Sequence, residues 1–312
     1  MRLGTAGRFG WLILLAASGA LRADTFYVTV AGLGGEQEYE QRFTGWANEL
    51  DKILKGEPGA KVTTLSGAAA TRSAIQAKLA EIAKQAKPED SLILTLIGHG
   101  SFDESDYKFN IPGPDLSATE LAALLDKIPA HELIVNMTSC SGGAIPFVQK
   151  PNRVLITATK SGTEKNATVF ARYWIEALRD PAADSDKNDI ITALEAFRYA
   201  EEKTGKFFET EGRLATEHAL LEDTGKGDGV KTPGPDNGEG LVASRFAMLH
   251  IGTAQAQAKD PEKQKLLKQK EAIEQSIDEL KYKKASIPVE EYRRMLTKFL
   301  VDLAKTQEAL DK

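Results

Sequence analysis

The chain has 312 residues, a formal net charge of −5 and a single cysteine among 42% hydrophobic and 27% charged residues. The acidic balance argues against nucleic-acid binding, and one thiol rules out an internal disulfide framework, so an ordinary hydrophobic core must carry stability. A zinc site is unlikely as well: there are only four histidines, none at helix-face spacing from another.

The opening stretch MRLGTAGRFGWLILLAASGALRA places Arg2 and Arg8 before an apolar run from Trp11 to Ala17 and then turns to small residues. This is the layout of a secretory signal peptide over 1–23, with cleavage after Ala20 or Ala23. The apolar core is well short of the ~20 residues that span a bilayer, and no later stretch is long and apolar enough. The expectation is an exported protein, periplasmic or secreted, with no membrane attachment once the signal is cut. Losing Arg2, Arg8 and Arg22 takes the formal charge from −5 to −8.

Downstream, short β-branched runs alternate with amphipathic ones. Strands are expected at 25–33, 61–65, 91–98, 132–139 and 153–160, each apolar enough to be buried on both faces. Helices are expected at 38–55, at 71–86 with Ile75, Leu79 and Ile82 on one face, and at 117–127, where Ser117 and Glu120 read as a capping box. Two more follow at 166–179 and 190–210. The loop 221–240, rich in Gly, Pro and Asp, reads as too long and polar to be packed core, and its acidic part at 222–229 reads as flexible. Its exposure also makes it a place where self-processing could occur. SRFAMLHIG at 244–252 reads as a sixth strand returning to the sheet. The expected fold is an α/β sandwich, helices on both faces of a mostly parallel six-stranded sheet, occupying 24–252. From 258 to 312, Leu266, Ile273, Ile277 and Leu280 and then Tyr292, Leu296, Phe299, Leu303 and Leu310 recur at helical spacing around a break at Ser286-Ile287-Pro288. That predicts a helical hairpin or short coiled coil serving docking or oligomerisation.

Two strand ends carry reactive groups. SLILTLIGHGSFD delivers His99 between Gly98 and Gly100, and ELIVNMTSCSGG delivers Cys140 41 residues later. Ligands and catalytic groups of parallel sheets gather at the carboxyl ends of the strands, so neighbouring strands would bring the pair together. A thiol beside an imidazole becomes a nucleophile, and the free amides of Gly100 and Cys140 would serve as oxyanion donors. The bland alternative is a buried cysteine near a loop histidine.

The strand ending Gly98-His99-Gly100-Ser101 and the strand ending Thr138-Ser139-Cys140-Ser141-Gly142-Gly143 resemble the caspase-like cysteine peptidases, especially the legumain type and its bacterial secreted relatives. The resemblance spans about 25–252. It implies a caspase-like αβα sandwich and an endopeptidase acting on a peptide or protein substrate. Cys140 would be the nucleophile and His99 the general acid/base. Gly100 and Cys140 would supply the oxyanion amides, and the segment after the nucleophile strand would help line the specificity pocket. No cofactor is required for that chemistry. Two positions before the nucleophile, legumains carry an acidic residue and caspases a glutamine; Thr138 stands here as the pocket candidate, so asparagine or aspartate preference is not implied. A catalytically silent scaffold that binds a partner through 258–312 is the alternative.

Residues 184–195 match a twelve-residue EF-hand loop, with Asp184, Asp186, Asn188 and Glu195 at ligand positions and the Ile190 carbonyl at the seventh. Asp189 stands at the sixth position, where glycine is usual. Structural calcium and a plain acidic N-cap cluster are equally compatible with this pattern. His131 and His250 read as structural or surface residues, and nothing in the spacing of His218 requires it to approach the cleft. Gly-Leu-Gly-Gly at 32–35 lacks the spacing of a dinucleotide turn.

Overall fold

The computed structural model describes residues 23–312; apart from Ala23, the signal peptide read over 1–23 lies outside the described residues. In chain order the sandwich begins β1 (Thr25–Ala31), α1 (Gln37–Leu54), β2 (Ala60–Leu65), α2 (Arg72–Gln85) and β3 (Ser91–Ile97). Then come three short strands, β4 (Gly100–Phe102), β5 (Tyr107–Phe109) and β6 (Leu116–Ser117), and α3 (Ala118–Leu125). β7 (His131–Asn136), α4 (Ile145–Val148), β8 (Arg153–Thr157), α5 (Phe170–Ala177), β9 (Ile190–Thr192), α6 (Ala193–Thr210) and β10 (Leu220–Glu222) follow. The chain closes with α7 (Leu241–Ser244), β11 (Ala247–His250), α8 (Gly252–Lys259), α9 (Gln264–Tyr282) and α10 (Val289–Leu310).

The main sheet has the order β10-β8-β7-β3-β1-β2, parallel throughout except for β10 at its edge. The two-residue period of each strand sorts its side chains between two cores. Tyr27, Ile93, Leu133 and Val154 face the layer of α1, α5 and α6, whereas Phe26, Leu92, Ile134 and Leu155 face the layer of α2, α3 and α4. Both faces are therefore covered, which is why the strands read as continuous apolar runs.

Four expectations are corrected. The sixth strand is β10, from the start of the stretch read as loop, while 247–250 pairs antiparallel with β9 in a separate two-stranded sheet. Leu221 is fully buried, and its acidic neighbours accept from nearby backbone: Asp223 accepts from the amides of Gly240, Val242 and Ala243 at 2.8–3.0 Å. Glu222 accepts from those of Thr224 and Lys226. The loop is thus partly packed, with exposed positions at 226, 228, 231–232 and 235–238. Ser117 caps α3 through the Glu120 amide, but the Glu120 carboxylate turns to Arg72 and Gln76 on α2, so the reciprocal half of the box is not made. The helices read at 166 and 190 begin at Phe170 and Ala193; at the second, Thr192 and Glu195 form a complete capping box.

The C-terminal helices do form a hairpin, and α9 is docked on the sandwich rather than free. Leu267, Ile277 and Leu280 are buried, Arg245 pairs with Glu279 at 2.7 Å, and the Tyr282 hydroxyl donates to the Glu239 carbonyl at 2.7 Å. Among the described residues no helix is long and apolar enough to cross a membrane.

Candidate active site

β3 and β7 run side by side with Leu96 opposite Asn136, and the Met137 amide extends the ladder to the Leu96 carbonyl at 2.9 Å. Both reactive turns therefore leave the sheet at one edge. Cys140 adopts φ 58° and ψ 7°, a left-handed conformation that costs free energy for a residue with a side chain. A helical turn over Ser141–Ala144 follows. The neighbouring Ser139 ties the two turns together: its hydroxyl accepts from the Gly100 amide and donates to the Gly100 carbonyl, both at 3.1 Å.

The edge is shared, but among the described residues no hydrogen bond joins His99 to Cys140. The His99 ring packs edge-on against Tyr39 and Phe43 of α1, with centroids at 4.8 and 5.0 Å. Burial lowers its pKa, opposed by a hydrogen bond to the Gly34 backbone and by the charge of Glu36. Cys140 belongs to the opposite core layer and is 1% exposed. Burial raises the thiol's pKa, only partly offset by Lys165, so the resting group is a neutral thiol.

Two further site expectations change. Neither oxyanion amide is free: the Cys140 amide donates to the Glu164 carbonyl at 2.8 Å, and that of Gly100 to Ser139. Both are paired within the chain, as N–H groups withdrawn from water are. Thr138 does not line a pocket. It is fully buried, with its hydroxyl 2.6 Å from that of Tyr107 and 2.8 Å from the Asn136 side chain, so it props the strand end from inside.

The segment Thr159–Lys165 lies over the Cys140 turn. The Ser141 hydroxyl accepts from the Thr159 amide at 3.1 Å, and the Gly142 amide donates to the Thr159 hydroxyl at 3.0 Å. A Cβ on Gly142 would collide with the backbone of Lys160 and Ser161. Glu164 is held in turn by His218, whose Nδ1 lies 2.5 Å and whose amide lies 3.2 Å from the carboxylate oxygens. His218 thus reaches the site through Glu164, a partner that no spacing in the sequence reveals. His131 starts β7 at the surface, and His250 is bound between Glu57 and Glu271.

In the 184–195 loop, Asp184, Asp186 and Glu195 each present an oxygen within 4.8 Å of the other two. Asp189 takes φ 66° at the sixth position, supplying the left-handed turn where glycine is usual. Desolvation, with the charges of Glu195 and Asp184 alongside, raises Asp186 to about 6. The donor set is all hard oxygen, as calcium requires. Each carboxylate also has internal donors: Asp184 accepts from the amides of Asn188 and Asp189, Asp186 from that of Asn188, and Glu195 from Ser185 and Thr192. Asn188 contacts Glu274 of α9, and the Ile190 amide donates to the Asn188 side chain at 2.8 Å. A cavity of about 370 Å³ lies between this loop and the hairpin, bordered by Asp186, Arg198, Arg245, Glu274 and Tyr282.

No family model and no curated protein matches the chain. Solved structures do. Protein GSU0716 of Geobacter sulfurreducens is 13% identical, with 74% of this chain and 100% of that one covered and a TM-score of 0.45. Caspase-1 of Spodoptera frugiperda is 13% identical over 65% of this chain and 87% of that one, TM-score 0.44. The Drosophila initiator caspase Dronc is 11% identical over 65% and 80%, TM-score 0.41. These are likenesses at low identity, and they leave the chemistry to this chain's own residues.

Proposed function

We propose that the chain is an exported cysteine endopeptidase whose resting site is closed. The observation that carries this reading is the pair of hydrogen bonds between Ser139 and Gly100, which fastens the turn bearing the only thiol to the turn bearing His99 at the carboxyl edge of the sheet. In the reaction, Cys140 gives up its proton to His99 and attacks the peptide carbonyl. The C–N bond breaks as His99 protonates the leaving amine, and water activated by His99 then hydrolyses the thioester. The amides of Gly100 and Cys140 would hold the oxyanion once their present acceptors withdraw. The test uses chain 24–312 and a broad peptide library read by mass spectrometry. Cleavage that Cys140→Ala abolishes supports the proposal; identical products from both proteins remove it.

The partner-binding reading is favoured by a separate observation, the apolar residues that α10 leaves exposed: Val289, Leu300 and Val301 are 64%, 49% and 46% exposed. A partner retained by Cys140→Ala and lost on deleting 258–312 would support that role. Calcium at 184–195 would be structural, ordering the loop beneath α9. Its expected signature is a rise in melting temperature on adding calcium chloride that Asp186→Asn abolishes. No rise in the unaltered chain removes calcium from the account.

A further inference from the structure

We infer that the segment Thr159–Lys165 is an intrachain cover whose Glu164 carbonyl occupies the oxyanion position, and that Glu164 and His218 form the latch holding it shut. The inference rests on the peptidase reading for its purpose, but the masking of Cys140 can be measured without it. The Cys140 amide is one of the two donors an oxyanion would need, and the Glu164 carbonyl now accepts from it at 2.8 Å. A substrate carbonyl and Glu164 therefore compete for one N–H, so substrate cannot be seated while the cover is down. Cys140 as a residue is 1% exposed, too little for attack on a peptide.

The latch is a side-chain device. The Glu164 carboxylate accepts from the Lys160 amide at 2.9 Å, which closes the segment on itself, and from the His218 amide and Nδ1. His218 immediately precedes the buried Ala219 and β10, so the carboxylate moors the cover to the edge of the main sheet. The Glu164 side chain is 11% exposed and that of His218 34%, so the imidazole side of the latch is the part that meets water. Close packing supplies the rest: Gly162 lies so near Phe102 that a Cβ there would strike the ring. Opening has to release the Glu164 contacts, the bonds of Thr159 to Ser141 and Gly142, and the packing of Gly162 on Phe102.

With one cysteine in the chain, the test reads a single site. Native chain 24–312 is treated with iodoacetamide, which forms an Sγ–carbon bond and expels iodide, and the rate is followed by intact mass. Cys140 in the unaltered protein is expected to react at least about a hundredfold more slowly than in the urea-unfolded chain. Glu164→Gln and His218→Gln are expected to speed it roughly tenfold, since each removes a charge-assisted hydrogen bond. Gly162→Ala, which lifts the cover by a different contact, should do the same. Circular dichroism checks that each variant keeps its fold. Unchanged slow labelling in all three would overturn the latch, and native labelling as fast as in urea would overturn the cover. Variants that unmask Cys140 yet cleave no peptide remove the peptidase reading and leave the cover standing; cleavage with labelling unchanged across the variants does the reverse.

Discussion

Two histidines each hold a segment against the sandwich, and they do so with different strength. His218 meets one carboxylate, Glu164, and keeps a third of its side chain in water. His250 is 16% exposed and lies between two, Glu57 at 2.6 Å and Glu271 at 3.2 Å, the second reaching over from α9. Burial alone would lower the pKa of His250, but the hydrogen bonds to Glu271 and Glu57 and their charges outweigh it and raise it to about 9. Desolvated and doubly paired, that contact is a permanent clamp on the hairpin. The single pair, with the imidazole a third in water, is the weaker hold.

The contrast is sharpest in variants. Glu57→Ala leaves His250 one carboxylate short in a buried setting and should cost about 3 kcal/mol in urea unfolding. A pH series asks the same question without mutation. Because the folded-state pKa of His250 is raised above 6.5, its contribution is fully present below pH 6.5 and is lost as pH rises through about 9. The loss amounts to roughly 3 kcal/mol for a shift of that size. Glu217, Glu239 and Glu274, each raised to about 7 chiefly by burial, titrate in the same window. The difference between unaltered chain and His250→Gln therefore isolates the histidine, and a difference that does not change with pH would break the clamp account. Tyr282→Phe, which removes the bond to Glu239, should cost about 1 kcal/mol. His218→Gln should cost less than about 1 kcal/mol while still unmasking Cys140, because exposed pairs contribute little to stability. A loss there equal to that of Glu57→Ala would erase the distinction between clamp and latch.

Four of the five parallel strands, β1, β3, β7 and β8, were legible because they are buried on both faces and carry a continuous apolar signature; the edge strand β2 is half-buried and showed itself through β-branched residues alone. β10 was not, since Leu221 sits beside Glu222 and Asp223, and the backbone partners of Asp223 at 240–243 come near only in the folded chain. β4–β6 are two or three residues long, too short for periodicity to register. The positions of His99 and Cys140 at one sheet edge followed from strand order, but their state did not. A carbonyl resting on an amide, as Glu164 rests on Cys140, has no side-chain pattern to announce it. The role of Thr138 was misplaced for a similar reason: its partner Tyr107 lies on a hairpin that the sequence concealed. Nothing in the spacing of His218 points to the cleft, and only the folded chain supplies Glu164 as its partner.

The proposed chemistry makes Cys140 a nucleophile activated by His99 once the cover lifts. It is tested most directly by reacting Glu164→Gln chain with a library of peptidyl vinyl sulfones and weighing the product. The prediction is one adduct per chain, on Cys140, formed at least about a hundredfold more slowly when His99→Ala is added. No adduct, or an equal rate without His99, would contradict it.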